Sequence, residues 1–477
     1  MEDISTHFLH KFFYPESVAL VGASNNELRI NYHLLNNLLN LGYKGRIYPV
    51  NPKEKQIRGI KAYPNVGSIP EVVDLAVIGV SHVQTPTILQ ECIAKGIRRI
   101  TLVAGGFSEI GPEGKAVQQK MKEWVRSGGV RAIGPNALSP INARLGLAIS
   151  FHPLEQIRVG GLSLIFQSGL YEPRLHWFFT SFNMHLSKLI DLGNKMDLNE
   201  VDALSYLVFD PETRVIGLHM ESMEGDPQRF LELLRQASAL DKPVVILKTG
   251  RTEEGARAAA SHTGAIARGS DAVLDRILAQ HGAIRASTIT EFFDITRALE
   301  RFGTLRLAGR RVTVATLPGG EAVMMTDLVQ QEGMLMAQPG PQTVEKLRPT
   351  FPPWEIAPNP FDLGVALQFN DPVQVYGRLI EAMSEDENVD ALHVQIPDRV
   401  LMLPREAFSL FQRAPERGKP LALWVAGVEP GTHEMLSWLE EQQIPVFSAP
   451  EKAISALAAL HRFTVSRRNS SGGITLS

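Results

Sequence analysis

The chain has 477 residues, of which 44% are hydrophobic and 21% charged, and its net charge is -3. Such a chain is long enough for about two to four domains with buried cores, and its charge balance favours neither a nucleic-acid nor a membrane-surface partner. No apolar run approaches the roughly 18 residues of a membrane span, and the N-terminus lacks the pattern of a signal peptide. The single cysteine, Cys92, excludes an intramolecular disulfide and fits a reducing cytoplasm. Its apolar surroundings predict a buried helix position.

Through the first 150 residues, short apolar runs alternate with stretches of helical periodicity. Strands are predicted at 17–22, 46–52, 73–80, 98–106 and 130–136. Strands that are apolar along their length and alternate with helices are typical of a parallel sheet covered on both faces. We therefore expect residues 1–150 to form a doubly wound, Rossmann-like nucleotide-binding domain.

Ligands of such a sheet bind at the carboxyl ends of its strands. The loop that begins at Gly22 lacks the full G-x-G-x-x-G pattern, so it is a weak signal for NAD. Lys53 stands after the second predicted strand, where an NAD-binding protein has an acidic residue for the ribose. A lysine there favours a phosphate. An NAD-dependent oxidoreductase is therefore a disfavoured alternative.

The pattern of strand, glycine turn and helix returns twice. Residues 151–303 contain predicted strands at 162–166, 214–222 and 242–250, and residues 304–465 contain strands at 312–317, 391–397, 420–427 and 444–447. We expect two further doubly wound domains, both flavodoxin-like, within these bounds. Residues 466–477 are polar and are predicted to be a disordered tail.

Two of the glycine turns open predicted helices and are candidate anion sites. They are Ser168-Gly169, where Ser168 is a plausible N-cap, and Gly319-Gly320. Unsatisfied N–H groups and the positive end of the helix dipole favour an anion at each. Between them lies a polar loop with His262, an imidazole suited to carrying a phosphoryl group. Glu221, at the end of a predicted strand, would orient that imidazole if it reached the other ring nitrogen.

Ten stretches, spread over roughly residues 12–460, resemble the α-subunit of the NDP-forming acyl-CoA synthetases, the ADP-forming acetate–CoA ligase group related to succinyl-CoA synthetase. They follow the order of that family: SVALVGAS (17–24), GYKGRIYPVNPK (42–53), VDLAVIGV (73–80), AGGFSEIGPEG (104–114), GPNAL (134–138), FQSG (166–169), GNKMD (193–197), KTGR (248–251), AAASHTGA (258–265) and NPFDLG (359–364).

The resemblance implies an enzyme that interconverts acyl-CoA, phosphate and ADP or GDP with a carboxylic acid, CoA and ATP or GTP. His262 would be phosphorylated by an acyl phosphate, with Glu221 as its orienting acid. The resemblance assigns the remaining residues to three groups of contacts. Phosphate would bind at Ser168, Gly169, Gly319 and Gly320; CoA at Gly22, Ala23, Ser24, Asn51, Lys53, Val80 and Ser81; and the acyl group at Gly106, Phe107 and Asn136. No resident metal is expected in this chain.

The resemblance also implies a partner, because the chain contains no recognisable ATP-grasp stretch. We expect a separate ATP-grasp β-subunit in an α2β2 heterotetramer, which would supply Mg2+ and the ADP or GDP site. Ala137 and Ser139 replace the usual Cys and Gly near the acyl site, so the acid could differ from acetate. Pro173, Pro318 and Glu321 alter the two phosphate helices. A CoA-binding regulatory protein with weakened catalysis therefore stays open as the alternative.

Overall fold

The computed structural model describes residues 3–167, 182–257, 271–397, 405–425 and 433–471. The chain divides into two compact units, Met1–Ser287 and Thr288–Ser477. In the described residues, the first unit contains two large sheets and a two-stranded hairpin, and the second unit contains one large sheet. In the described ranges, no helix is long and apolar enough to cross a membrane.

The first sheet is parallel, with strand order β2-β1-β5-β6-β7. Its strands are β1 (Ser17–Val21), β2 (Arg46–Val50), β5 (Leu75–Ile78), β6 (Arg99–Leu102) and β7 (Arg131–Ile133), and a hairpin of β3 (Gln56–Ile57) and β4 (Ile60–Lys61) follows β2. Helices are α1 (His10–Phe13), α2 (Tyr32–Asn40), α3 (Thr85–Lys95) and α4 (Pro112–Ser127). Cys92 is fully buried on α3, as predicted.

The second sheet has the order β14-β13-β12-β10-β11-β8-β9. Its parallel part comprises β10 (Val159–Phe166), β11 (Leu186–Asp191), β12 (Val215–Met220), β13 (Val244–Lys248) and β14 (Ala283–Ala286). The edge strands β8 (Ile141–Asn142) and β9 (Leu147–Ala148) are antiparallel. Helices are α5 (Glu200–Leu207), α6 (Pro227–Ala239) and α7 (Asp271–Gln280). The strands β8 and β9 precede residue 150, so the end of the segment expected in the first domain pairs with the second sheet.

The third sheet, in the second unit, runs β16-β15-β18-β19-β20, and β17 also pairs with β15. Its strands are β15 (Arg311–Thr316), β16 (Leu335–Met336), β17 (Phe361–Asp362), β18 (Ala391–Ile396), β19 (Leu421–Val425) and β20 (Val446–Phe447). Helices are α8 (Ile289–Phe302), α9 (Gly319–Gln331), α10 (Pro341–Leu347), α11 (Leu363–Phe369), α12 (Pro372–Glu385), α13 (Ser409–Glu416), α14 (His433–Glu441) and α15 (Pro450–Ser471).

All three sheets share one topology. Numbered within each sheet, the five main parallel strands run 2-1-3-4-5, so the direction of winding reverses between the first and third strands. A doubly wound sheet opens a crevice at this reversal, at the carboxyl ends of the two strands. The structure confirms the predicted α/β class with three doubly wound sheets. The three reversal crevices lie between β1 and β5, between β10 and β12, and between β15 and β18.

Two boundaries differ from the sequence expectation. Helix α8 lies in the second compact unit although its residues precede 303. Helix α15 continues to Ser471, so residues 466–471 are helical and not part of a disordered tail. The polar composition of these residues gave no indication of a helix. A helix that is already packed can nevertheless extend into them, because each added hydrogen bond requires only one more residue to be ordered.

Candidate active site

A cavity of about 1170 Å³ lies at the carboxyl edge of the first sheet. It is lined by residues that follow β1, β2, β5, β6 and β7, and by residues from the second sheet. This volume slightly exceeds the roughly 300–1,000 Å³ typical of ligand pockets, as expected for a long ligand. The reversal between β1 and β5 therefore opens into a large, preformed site.

At the β1–β5 crevice, the loops after the two strands lie so close together that there is no room for a side chain at Gly22. Its φ is +93°, and a Cβ there would lie 2.6 Å from the carbonyl oxygen of Gly79. Asn31 bridges the two loops, because its amide donates to the carbonyl oxygens of Gly22 at 3.0 Å and Gly79 at 2.6 Å. Asn51 holds the neighbouring loop by donating to the Ala23 carbonyl at 2.9 Å. Glycine at position 22 therefore allows the loops after β1 and β5 to pack against each other at the wall of the cavity.

Five of the seven residues expected to contact CoA line this cavity: Gly22, Asn51, Lys53, Val80 and Ser81. Ala23 is fully buried beneath it. The Ser24 hydroxyl accepts a hydrogen bond from the Asn26 N–H at 3.0 Å, which caps the turn beside the cavity. The Lys53 side chain is exposed, and its N–H bonds to the Asn51 side chain at 2.9 Å.

Of the three residues expected to contact the acyl group, only Asn136 lines the cavity. Asn136 lines it with a left-handed backbone, φ +60°, and Gly105 lines it in place of Gly106. Phe107 is 1% exposed and belongs to the core of the first domain, so a direct contact between its ring and an acyl group is not supported. Sequence reasoning missed this because an aromatic residue after two glycines looks like a loop residue.

Glu109 organises the turn that contains Gly106. Its carboxylate accepts the Gly106 N–H at 2.6 Å and the Asn194 amide at 2.7 Å. Burial alone would raise the pKa of Glu109, but hydrogen bonds from backbone N–H groups and from Asn194 outweigh it, and the pKa lies below its usual value. The carboxylate is therefore ionised at neutral pH and acts only as an acceptor.

The second crevice, between β10 and β12, holds Gln167 and Glu221. The Gln167 side-chain oxygen accepts the N–H groups of Glu221 at 2.7 Å and Ser222 at 3.0 Å, and its amide donates to the Ser222 hydroxyl at 3.0 Å. Both Gln167 and Glu221 are buried. Lys248 donates to the Glu221 carbonyl oxygen at 2.7 Å, and burial lowers the pKa of Lys248.

A buried ion pair supports the same loop from the other side. The Lys195 ammonium lies 2.9 Å from Glu200, and the exposed fractions of the two side chains are only 2% and 1%. The same ammonium donates to the Ser222 carbonyl oxygen at 2.8 Å. Glu200 in turn accepts the N–H groups of Glu224 at 2.7 Å and Gly225 at 2.9 Å. The loop after β12 is therefore hydrogen-bonded along its length.

In the third crevice, α9 begins directly at Gly319 and Gly320, both of which are exposed. Pro318 is the N-cap, so its missing N–H removes no helix hydrogen bond. Glu321 adds a carboxyl group in the first turn, and burial raises its pKa. The position of a Cβ on Gly319 would be 3.4 Å from a carboxylate oxygen of Asp362. Two acidic side chains thus stand at this helix start.

Ser168, Gly169, Pro173 and His262 lie outside the described residues. Within the described residues, no cluster of three histidine, cysteine or acidic side chains could hold a metal ion. Sequence reasoning did not assign roles to Asn31, Glu109, Gln167, Asn194 or Lys195. Glu109 stands in the AGGFSEIGPEG stretch, and the last three stand in the FQSG and GNKMD stretches, so the only signal for these four is their place in family motifs. No motif contains Asn31.

Family models match two parts of the chain: a CoA binding domain over residues 16–141 and a succinyl-CoA ligase like flavodoxin domain over residues 159–299. The chain is 36% identical to the α-subunit of the ADP-forming acetate–CoA ligase I of Pyrococcus furiosus, over 96% of this chain and 98% of that one. It is 31% identical to the ADP-forming 4-hydroxybutyrate–CoA ligase of Nitrosopumilus maritimus, over 97% of this chain and 65% of that one.

Among solved structures, the dinucleotide forming acetyl-coenzyme A synthetase 1 of Ca. Korarchaeum cryptofilum, in complex with phosphate and ADP, has a TM-score of 0.86 and 31% identity. The match covers 98% of this chain and 99% of that chain. A CoA-binding sheet joined to a succinyl-CoA-ligase-like sheet, with a cavity lined by residues of both, defines a ligase that acts on CoA thioesters. The chain belongs to the NDP-forming acyl-CoA synthetase family, and it corresponds to the α-subunit of the ADP-forming acid–CoA ligases.

Proposed function

We propose that this chain catalyses the acyl-transfer and histidine-phosphorylation steps of an NDP-forming acid–CoA ligase. In the first step, a phosphate oxygen attacks the thioester carbonyl and the CoA thiolate leaves, which gives an acyl phosphate. In the second step, a nitrogen of His262 attacks phosphorus and the carboxylate of the acid leaves. Phosphohistidine then transfers its phosphoryl group to ADP or GDP on a partner subunit, which regenerates His262.

The observation that carries this proposal is the pair of neighbouring crevices in the first unit. The cavity at the β1–β5 reversal suits CoA because it is large, its wall at Gly22 is shaped by close packing of two loops, and Lys53 offers a cation for a phosphate group. Val80, Ser81 and Asn51 line the same cavity. Asn136 lies at its wall beside Gly105, where an acyl group would follow the thioester. Gln167, the residue before Ser168, lines the cavity as well.

For the phosphoryl step, Glu221 would accept a hydrogen bond from one imidazole nitrogen of His262 and leave the other free to attack phosphorus. The hydrogen bonds from Gln167, Lys195 and Lys248 support this role, because they hold the loop that presents the carboxylate. Ser168 and Gly169 would bind phosphate at one helix start, and Gly319 and Gly320 at another. Such fixed dipoles stabilise developing negative charge.

The partner is proposed to be an ATP-grasp β-subunit that binds Mg2+ and ADP or GDP, in an α2β2 assembly. Two observations support a partner. The matched Pyrococcus furiosus protein is named as an α-subunit, and the chain covers only 65% of the Nitrosopumilus maritimus ligase. The remainder of that relative has no counterpart in the match.

The test is to incubate the chain with a panel of acyl-CoA thioesters and radiolabelled phosphate. We expect acid-labile label on the wild type, none on His262→Ala, and strongly reduced label on Glu221→Gln. Glu232→Gln is the matched control, because Glu232 is an exposed carboxylate on α6 of the same domain. Adding an ATP-grasp chain, Mg2+ and ADP or GDP should move the label to the nucleotide.

The alternative is a CoA-binding regulatory protein with weakened catalysis. The two carboxyl groups at the start of α9 favour it, because Glu321 and Asp362 oppose an anion there. Tight CoA binding without label from any acyl-CoA in the panel would support this alternative against the ligase. Binding of NADH without binding of CoA would contradict both.

A further inference from the structure

The turn that follows β11 places two adjacent side chains in two different networks. Gly193 and Lys195 both have left-handed backbones, with φ of +53° and +52°. Left-handed backbone is costly for a lysine and tends to persist where the surrounding structure holds it for a function. Here it directs Asn194 toward the cavity in the first domain and Lys195 into the interior of the second.

On the cavity side, Asn194 is tied to the Gly106 turn. Its amide donates to Glu109 at 2.7 Å and to Gln118 at 3.1 Å. The other oxygen of Glu109 accepts the Gly106 N–H at 2.6 Å, and Gln118 accepts the Ser108 N–H at 3.3 Å. The backbone N–H of Asn194 also donates to the Pro135 carbonyl, next to Asn136, at 2.9 Å. Asn194 thus contacts both the turn that contains Gly106 and the loop that contains Asn136.

On the other side, Lys195 is tied to the loop that follows Glu221. Its ammonium contacts Glu200 and the Ser222 carbonyl oxygen, and Glu200 accepts the N–H groups of Glu224 and Gly225. The path from the Gly106 turn to residues 221–225 therefore consists of one peptide unit and a few buried or partly buried hydrogen bonds. Such a contiguous network can carry coupling between two sites.

We propose that Asn194 and Lys195 are positioning residues that couple occupancy of the cavity at the Gly106 turn to the placement of the Glu221 loop. A ligand that orders the Gly106 turn also orders residues 221–225. The Glu221 loop is thereby set only when CoA or a CoA thioester occupies the cavity, which limits transfer of the phosphoryl group from the acyl phosphate to water. The role of Glu221 in the phosphoryl step rests on the function proposed above. The coupling between the cavity and the Glu221 loop does not depend on that function.

The test uses hydrogen–deuterium exchange of the amide groups of residues 221–225, four of which donate their N–H groups to Gln167 or Glu200. In the wild type, adding CoA is expected to slow their exchange by about fivefold, the lower end of ordinary coupling between sites. The variant Asn194→Asp sets a carboxylate against Glu109, and Glu109→Gln can set two amide donors against each other. Each single variant is expected to lose most of the slowing while it still binds CoA.

The double variant Asn194→Asp/Glu109→Gln provides the rescue. Gln at position 109 can still accept the Gly106 N–H through its oxygen and donate to Asp at position 194 through its amide, so the contact is restored with reversed polarity. Gln118 can rotate its amide to donate to the new carboxylate, a rotation that gives up only the long 3.3 Å hydrogen bond from the Ser108 N–H. The double variant is expected to regain the CoA-dependent slowing. The control is Glu123→Gln, which alters an exposed carboxylate–amide contact with Gln119 on α4.

The inference would be overturned if the wild type binds CoA but the exchange rates of residues 221–225 do not change. A double variant whose loss equals the combined losses of the two single variants would also overturn it, because the contact would then not carry the coupling. Label transfer in the same proteins separates the two proposals. A wild type with coupled exchange but no phosphohistidine would contradict the ligase function and leave the coupling supported.

Discussion

The side-chain oxygen of Gln167 accepts a hydrogen bond of 2.7 Å from the backbone N–H of Glu221, 54 residues later in the chain. The two residues directly follow β10 and β12, the neighbouring strands at which the winding of the second sheet reverses. The contact therefore spans the crevice where this topology binds ligands. It fixes the start of the Glu221 loop against the last residue before Ser168.

Replacing Gln167 by leucine is expected to lower the free energy of unfolding by about 2–4 kcal/mol, because the N–H groups of Glu221 and Ser222 lose their acceptor in a buried site. Replacement by glutamate keeps an acceptor in place, so the loss should be smaller. Both variants should be compared with the wild type by urea unfolding. Equal stability of wild type and Gln167→Leu would show that the loop finds other acceptors.

At Gly22, we expect alanine to disrupt the CoA cavity. A Cβ would meet the Gly79 carbonyl oxygen at 2.6 Å, and the left-handed φ adds a further penalty of about 1 kcal/mol. CoA affinity measured by calorimetry should fall at least about tenfold, as for roughly 1.4 kcal/mol or more. Gly42→Ala is the matched control, because Gly42 is also left-handed, φ +76°, but has open space at the Cβ position. If both variants bind CoA like the wild type, the close approach at Gly22 is not needed for binding.

Local sequence patterns were sufficient to predict the class of fold. Continuous apolar strands such as β5 and β19 alternate with helices, and that alternation indicates parallel, doubly wound sheets. The glycine turns after β1 and β15 could be located because they follow apolar strands directly. The packing of β8 and β9 on the second sheet could not be predicted, because two-residue strands carry no periodicity. The partner of β8 in that sheet, β11, lies more than about 40 residues further along the chain.

At the candidate site, a residue's position could be predicted from sequence only where it is set by residues nearby in the chain. Gly22 and Asn51 line the cavity because they directly follow strands that end there. The loop position of Phe107 gave no indication that its ring turns into the core. The role of Asn194 depends on a contact with Glu109 across 85 residues, which no local pattern encodes.

The Lys195–Glu200 pair makes a prediction about stability. Lys195→Met leaves Glu200 buried without its cation, and the free energy of unfolding is expected to fall by about 3–5 kcal/mol. In the double variant Lys195→Met/Glu200→Gln, the buried charge is gone and the new amide oxygen still accepts the N–H groups of Glu224 and Gly225. It should therefore be more stable than the single variant in urea. A double variant less stable than Lys195→Met would contradict this assignment.

A pH dependence is expected in the second unit from His393. This residue is fully buried on β18, and burial lowers its pKa from 6.5 to about 4. The unfolded state therefore binds more protons than the folded state in the pH window between these two values. The free energy of unfolding should fall as the pH is lowered through that window, by up to roughly 3 kcal/mol.

Hydrogen exchange of the paired amide groups of β18 and β19 would report this change for the second unit separately from the first. His393→Leu removes the titrating group and should flatten the pH dependence between about pH 6.5 and 4. His82→Leu, at an exposed position in the first unit, should leave the dependence in the second unit unchanged. If the stability of His393→Leu depends on pH as steeply as that of the wild type, proton binding by other groups in the second unit must cause the loss of stability.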